Sequence, residues 1–275
     1  MHVIALQYAP VWEQKTATQR LVESLLEIAE PEPGAFVVLP EMSDTGWSME
    51  PEKTIPGDSI AWASELASRH RIHLQVGFPR RIERPPGASN AVVILHPDGN
   101  PGPIYEKVHP FGFTPEPVHF AAGEKLVLDQ VGDFLVAPSI CYDLRFPELH
   151  RIAVAGGAQI LSIGANWPRE RAMHWRALVI ARAIENQAFV IATNRVGNDP
   201  SFEYAGGSLI VGPDGTVLAE GGPEEAATSV HIDRTGLDEW RSTFPVLRDR
   251  RAELLGSFPI VRSSPHVPGR AEGNR

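Results

Sequence analysis

Seven short apolar runs dominate the sequence, and segments with helical character separate several of them. The runs cover residues 2–8, 35–39, 71–78, 90–95, 134–140, 158–163 and 188–193. Their length is typical of strands, and several are continuously apolar, which predicts a sheet covered on both faces. The alternation of strand and helix patterns predicts an α/β protein with a layered core.

Three segments between these runs have the periodicity or the capping residues of helices. Leucine and isoleucine recur at steps of three and four over residues 17–30, and a similar stripe with frequent alanine marks residues 171–187. A third helix is predicted at residues 59–70, with Ser59 or Asp58 available as the N-cap.

The remaining segments read as short strands, turns and a tail. Residues 202–231 carry shorter strands around a Gly-Pro-Asp-Gly turn at 212–215, and residues 85–89 read as a second hairpin turn. No linker divides the sequence, so we expect one domain over residues 1–262. Residues 263–275 are polar without periodicity, which predicts a loose tail.

Composition excludes several classes of function. The 275 residues include 34 acidic and 25 basic side chains, a net charge of −9, which argues against nucleic-acid or membrane-surface partners. The sequence lacks a signal-peptide pattern and an apolar run of bilayer length, so we expect a cytoplasmic protein. The one cysteine, Cys141, excludes an intramolecular disulfide, and ten histidines without paired spacing predict no metal and no cofactor.

Three reactive side chains stand at the predicted ends of strands. Cys141 follows the run 134–140 and precedes Pro147, a residue suited to a helix start. Glu41 comes directly after 35–39, and Lys107 lies in a short segment before a proline-rich loop. Each alone has an ordinary alternative: an inert buried thiol, the partner of a cation, and a solvated charge. Together they could deprotonate a thiol, attack a carbonyl or nitrile carbon and stabilise an oxyanion.

The blocks around these residues resemble the signature blocks of the nitrilase superfamily of carbon–nitrogen hydrolases. They read LPEM at Glu41, EKVHPF at Lys107 and ICYDLRFPEL at Cys141. Lys107 follows Glu41 by 66 positions, and Cys141 follows Lys107 by 34. Further matching blocks span 164–197 and 204–220. GWSM, ANWP and NRVG look most like the omega-amidase group, whose members hydrolyse 2-oxoglutaramate or 2-oxosuccinamate.

The resemblance implies a four-layer α-β-β-α sandwich and a homodimer or higher homo-oligomer. It implies that Cys141 is the nucleophile, Glu41 the general base and Lys107 the oxyanion group, with the backbone N–H of Tyr142 as a second donor. It also implies a second glutamate beyond the lysine. The candidates are Glu116 and Glu124. The resemblance favours Glu116, because it lies seven residues before Gly123, as in the related amidases.

Other residues near these positions are candidates for contact with a small amide substrate. Aromatic and polar side chains suit a pocket wall, and an arginine would meet a substrate carboxylate. Arg145 and Asp143 are expected instead to form a supporting ion pair. The substrate-binding candidates are Trp47, His109, Phe111, Phe113, Asn166, Trp167, Arg169, Arg171 and Arg195.

The sequence favours an amidase that releases ammonia from a short dicarboxylic monoamide through a cysteine thioester. The same machinery would serve an N-carbamoyl amino acid hydrolase, an aliphatic amidase or a nitrilase. A different class also stays open, a catalytically idle dimeric binding module, because a fold does not guarantee its function.

Overall fold

The computed structural model describes residues 1–251 and residue 253. The predicted domain end at residue 262 and the predicted tail at 263–275 lie outside the described residues. Within the described part, no helix has the length and apolarity that a bilayer-crossing segment requires.

Fourteen strands are present in the described residues. They are β1 (His2–Gln7), β2 (Phe36–Val38), β3 (His73–Arg81), β4 (Ala88–Leu95), β5 (Tyr105–Glu106), β6 (Asp129–Val131), β7 (Phe134–Ile140), β8 (Ile160–Ala165), β9 (Phe189–Asn194), β10 (Val196–Asn198), β11 (Glu203–Ala205), β12 (Leu209–Val211), β13 (Val217–Glu220) and β14 (Ala226–His231).

The same described residues contain seven α-helices and three short 3₁₀ turns. The helices are α1 (Lys15–Ala29), α2 (Pro51–Thr54), α3 (Ser59–His70), α4 (Glu116–His119), α5 (Pro147–Ala155), α6 (Ala172–Asn186) and α7 (Arg234–Thr243). The 3₁₀ turns are Cys141–Arg145, Arg169–Arg171 and Val246–Asp249.

Twelve of the strands form two six-stranded sheets of similar design. The first has the order β14-β1-β2-β3-β4-β5 and the second β13-β12-β9-β8-β7-β6. In each sheet, three central strands pair in parallel and the outer strands pair antiparallel. The other two strands, β10 and β11, form a separate ribbon.

Side-chain alternation along β1 shows how the layers stack. Val3 and Ala5 belong to an apolar cluster that contains residues of both sheets, so this face of β1 meets the second sheet. Ile4 and Leu6 point the other way and pack with residues of α1 and α3. On the second sheet, α5 and α6 cover the outer face. The layers are therefore helix, sheet, sheet and helix, as expected from the resemblance.

The predicted elements agree with the structure to within a few residues. The seven apolar runs are strands, and the three predicted helices are α1, α3 and α6. Asp58, rather than Ser59, caps α3, because its side chain accepts a hydrogen bond from the backbone N–H of Ala61 at 2.9 Å. Pro147 occupies the first turn of α5, where a missing N–H costs no hydrogen bond.

Candidate active site

Glu41 lies in a segment held between the two sheets. This segment follows β2, and its backbone runs against Gly77 of β3 on one side and Gly164 of β8 on the other. A Cβ atom on Gly77 would lie 2.7 Å from the backbone nitrogen of Met42, and one on Gly164 would lie 2.6 Å from the carbonyl oxygen of Leu39. Only glycine permits this close approach, so the two sheets fix the position of Glu41.

Lys107 binds two carboxylates at once. Its Nζ lies 2.7 Å from Glu41 Oε1 and 3.0 and 2.9 Å from the two oxygens of Glu116. All three side chains are buried, with at most 2 % of each residue exposed. Burial alone lowers the pKa of Lys107, but the attraction of Glu116 and Glu41 outweighs it and leaves the pKa above its ordinary value. The lysine is therefore in its ammonium form at neutral pH.

Two asparagines orient the carboxylates. Asn90 of β4 donates from Nδ2 to Glu41 Oε1 at 2.7 Å and to Glu116 Oε1 at 2.9 Å. The backbone N–H of Asn166 donates to Glu41 Oε2 at 3.1 Å, and its side chain donates to the Glu41 carbonyl oxygen at 2.8 Å. Phe111 holds the remaining oxygen of Glu116 through its backbone N–H at 2.6 Å. Each carboxylate is thus held in one orientation.

Cys141 begins the 3₁₀ turn that follows β7. Its φ of +43° lies in the left-handed region, which a non-glycine residue occupies only at a cost of about 1–3 kcal/mol. The thiol donates to the carbonyl oxygen of Asn166 across 3.7 Å. Burial and the nearby Glu41 raise the pKa of the Cys141 thiol well above its ordinary value, although Lys107 acts in the opposite direction. The resting thiol is therefore protonated.

The Asp143 side chain stabilises the 3₁₀ turn. The prediction of an ion pair between Asp143 and Arg145 is wrong. The buried Asp143 carboxylate accepts hydrogen bonds from Tyr105 Oη at 2.7 Å, from the backbone N–H of Ile140 at 3.1 Å and from the backbone N–H of His109 at 2.9 Å. Arg145 instead lies over the Trp167 ring at 4.5 Å. Its guanidinium is therefore available to the pocket.

A small pocket opens beside the Cys141 thiol. Its lining includes Lys107, Tyr142 and five of the residues predicted to contact substrate. Those five are Trp47, Phe111, Asn166, Trp167 and Arg171. Arg145 and Pro168 complete the wall. The pocket thus combines aromatic walls with two arginines.

The other four substrate-binding candidates do not line this pocket. His109 stacks on Phe146 with ring centroids 3.6 Å apart, and its Nδ1 lies 3.0 Å from Asp143. The side chain of Phe113 is mainly in solvent, with 82 % of the residue exposed.

Arg169 and Arg195 also have other neighbours. Arg169 is exposed and lies 3.4 Å from Glu203. Arg195 is fully buried; it donates to the carbonyl oxygens of Val196 and Asn198 and lies over the Tyr204 ring at 4.4 Å. Both arginines therefore have structural partners in place of a substrate carboxylate.

Asn90, Arg145 and Pro168 are pocket or cluster residues outside the set predicted from the sequence. Asn90 had a recognisable signal, since it is a polar amide in a strand that is otherwise apolar. Arg145 had none, because the alternative ion pair with Asp143 was equally consistent with the sequence. Pro168 follows Trp167, and only the fold brings it to the pocket.

Two face-to-face sheets between helices, with one buried cysteine beside a lysine and two glutamates, define a cysteine-dependent hydrolase of the nitrilase type. The chain belongs to the carbon–nitrogen hydrolase family, whose model matches residues 3–242.

Several relatives in this family are amidases by name. A 2-oxoglutaramate amidase of Bacillus subtilis is 36 % identical over 222 residues, which cover 79 % of this chain and 85 % of the relative. An omega-amidase of Yersinia enterocolitica is 34 % identical over 256 residues, covering 91 % of this chain and 96 % of the relative. The family and the names of these relatives support an amidase.

The fold agrees with solved structures. A CN-hydrolase superfamily protein of Xanthomonas campestris, which carries an arsenic adduct in its active site, superimposes with a TM-score of 0.84. It is 30 % identical, and the match covers 91 % of this chain and 97 % of that chain. The four-layer sandwich is therefore confirmed.

Proposed function

We propose that this enzyme hydrolyses the terminal amide of a short 2-oxo dicarboxylic monoamide, such as 2-oxoglutaramate or 2-oxosuccinamate, and releases ammonia. The observation that carries the proposal is the presence of Arg145 and Arg171 in the same pocket wall as Cys141. A carboxylate at one end of the substrate would bind these cations while the amide at the other end reaches the thiol. The names of the relatives support the same substrate class.

In the acylation step, Glu41 takes the thiol proton and the Cys141 sulfur attacks the amide carbon. The carbonyl oxygen becomes an oxyanion, which Lys107 and the backbone N–H of Tyr142 stabilise. Tyr142 is the second residue of its 3₁₀ turn, and the first N–H groups of a helix have no intrahelical acceptor. Glu41 then returns the proton to the nitrogen, the C–N bond breaks, and ammonia leaves a thioester.

In the second step, water attacks the thioester carbon while Glu41 removes one of its protons. The C–S bond breaks, the free acid forms, and the proton returns to the Cys141 sulfur. Glu116 is proposed to position Lys107 and to contribute to orienting this water. Because the proton moves only between Cys141 and Glu41 before substrate bonds break, the total charge of the buried cluster stays constant, which avoids the cost of creating a new buried charge.

Arg171 in the pocket wall provides a test of how the substrate carboxylate is bound. Replacing Arg171 by Gln removes a charged donor, and hydrogen bonds to charged groups contribute about 1.5–3 kcal/mol. We expect KM for 2-oxoglutaramate to rise on the order of tenfold or more, with little change for an uncharged aliphatic amide. Arg169→Gln is the matched control, because Arg169 is exposed and paired with Glu203 outside the pocket. An equal effect of both variants would contradict the assignment.

We also infer a cytoplasmic location and a homodimer or larger homo-oligomer. A lone cysteine that works as a nucleophile suits a reducing compartment, where thiols persist. Exposed apolar side chains on the outer helices support self-association, namely Ile152 of α5 and Met173 and Ile184 of α6. Analytical ultracentrifugation of the whole chain tests the assembly, and a monomer at micromolar concentration would contradict it.

The function is tested by ammonia release from a panel of substrates. The panel contains 2-oxoglutaramate, 2-oxosuccinamate, glutamine, an N-carbamoyl amino acid, an aliphatic amide and a simple nitrile. We expect selective turnover of the 2-oxo monoamides and a loss of about 10⁴-fold or more in Cys141→Ala. Preference for another member would replace the substrate and keep the chemistry. Full activity of Cys141→Ala would overturn the nucleophile, and silence across the panel would favour a binding module.

A further inference from the structure

Two histidines lie opposite each other where β1 pairs with its neighbour β14. His2 of β1 and His231 of β14 are register partners, and their rings stack with centroids 4.8 Å apart and planes 13° apart. Glu32 comes from the segment after α1, and its Oε2 lies 3.1 Å from His231 Nε2. Three separate parts of the chain therefore meet at one point.

The three side chains present a set of potential metal ligands. One nitrogen from each imidazole and one carboxylate oxygen lie within 4.8 Å of one another. Within residues 1–251 and 253, no other group of three His, Cys, Asp or Glu side chains meets this criterion. The Nδ1 atom of His2 is buried without a hydrogen-bond partner, which is costly for a polar atom. Nothing in the proposed reaction uses any of these groups.

The chemistry of the donors points to a borderline transition metal. Neutral imidazoles and a carboxylate are common ligands of Zn²⁺, whereas Mg²⁺ and Ca²⁺ prefer oxygen alone.

We propose that His2, His231 and Glu32 bind one Zn²⁺ ion, with water completing a tetrahedral site. Tetrahedral ligands about 2.0–2.1 Å from the metal lie about 3.3 Å apart, so binding would tilt the stacked rings and draw the three atoms together. The side chains of His231 and Glu32 are 65 % and 59 % exposed, which leaves them room to rotate. The site would tie β1, β14 and the segment after α1 together.

This zinc site is separate from the hydrolase pocket and does not depend on the proposed function. None of its three residues lines the pocket beside Cys141. A ligand that binds only the folded state stabilises it, and free metal at 100 times Kd lowers the unfolding equilibrium constant about 100-fold. Zinc is therefore expected to raise the melting temperature without being required for ammonia release.

The test is a calorimetric titration of ZnSO₄ into the whole, tag-free protein after treatment with a chelator. The variants are His231→Ala and Glu32→Gln, both at exposed positions where folding should persist. His174→Ala is the matched control, because His174 is exposed on α6 and belongs to no such group. Cys141→Ala is titrated in parallel, because a thiolate can also bind zinc.

We expect one zinc ion per chain in the wild type, with Kd raised at least tenfold in His231→Ala and Glu32→Gln. The control variant and Cys141→Ala should bind as the wild type does, and zinc should raise the melting temperature only where it binds. Three results would overturn the proposal: no binding by the wild type, unchanged binding by His231→Ala, or loss of binding in Cys141→Ala.

Discussion

Lys107 is a buried charge that the surrounding carboxylates stabilise. The ammonium ion contacts Glu41 and Glu116 within 3.0 Å, so two carboxylates compensate the loss of its water. Both carboxylates need the lysine in turn. They lie beside the same ammonium ion, and without it their like charges would repel strongly in a medium of low polarity. The lysine is therefore at once an oxyanion donor in the proposed reaction and the structural centre of the cluster.

Replacing Lys107 by Met is expected to affect both roles. Loss of one preorganised oxyanion donor lowers kcat about 10²- to 10³-fold, and removal of one partner from a buried ion pair costs about 3–5 kcal/mol of unfolding free energy. Adding Glu116→Gln to Lys107→Met should restore part of the stability and none of the activity. Ammonia release and urea denaturation measure the two effects. Wild-type stability of Lys107→Met, or stability changes equal to those of the exposed control Lys125→Met, would contradict this account.

Helix α5 carries a buried histidine, His150, whose protonation makes the stability of the protein depend on pH. His150 lies between Ser139 of β7, 3.3 Å from its Nε2, and the carbonyl oxygen of Phe146, 3.3 Å from its Nδ1. Burial, aided by the positive charge of Arg182, lowers the pKa of His150 to about 4 from 6.5. As pH falls, the unfolded chain therefore takes up this proton before the folded chain does.

The sign of the resulting pH dependence follows from these values. The contribution of His150 to stability is complete above pH 6.5 and is lost as pH falls towards 4, by about 3 kcal/mol at most. We expect His150→Gln to show a shallower loss of unfolding free energy than the wild type between pH 7 and 4.5. Urea denaturation at each pH measures it, with His174→Gln on the exposed face of α6 as control. Equal slopes in wild type and His150→Gln would refute the assignment.

Elements with strong periodicity were predictable, and the side-chain contacts between them were not. The apolar runs and the stripe of α1 carry their structure locally, so the sequence predicts their type and approximate ends. The sequence blocks identify Glu41 and Lys107, whereas the closeness of Arg145 and Asp143 in the chain predicts an ion pair that the structure does not contain. In the structure, Asp143 accepts hydrogen bonds from Tyr105 and His109, which lie more than thirty residues away in sequence. Such long-range choices depend on packing, which one sequence does not display.

The close packing of the two sheets sets the position of Glu41. Gly77 and Gly164 belong to different sheets, and both contact the segment from Leu39 to Met42. A further buried hydrogen bond joins the sheets, from Ser162 Oγ to Gln75 Oε1 at 2.5 Å. The catalytic carboxylate is thus positioned by the packing of two layers and not by its own loop alone.

Gly164→Ala is expected to disturb stability and activity together. Its Cβ would lie 2.6 Å from the Leu39 carbonyl oxygen, a backbone atom that cannot move without shifting Glu41. Overpacking of this kind costs about 1–3 kcal/mol, and a displacement of about 1 Å in a catalytic group can cost about 100-fold in rate. Gly222→Ala, which adds a Cβ in open space, is the matched control. Thermal unfolding and kcat/KM test this, and wild-type values for Gly164→Ala would contradict it.

The excess of carboxylate over ammonium in the buried cluster has a consequence for turnover. Two carboxylates and one lysine leave a net negative charge beside the protonated thiol of Cys141. A neutral amide can approach this site without repulsion, whereas the acid formed by hydrolysis ionises and is repelled by it. The reaction thus converts a group that the site accepts into one that it expels. Inhibition by the product acid should accordingly be weak, and the same field directs the uncharged end of the substrate inward.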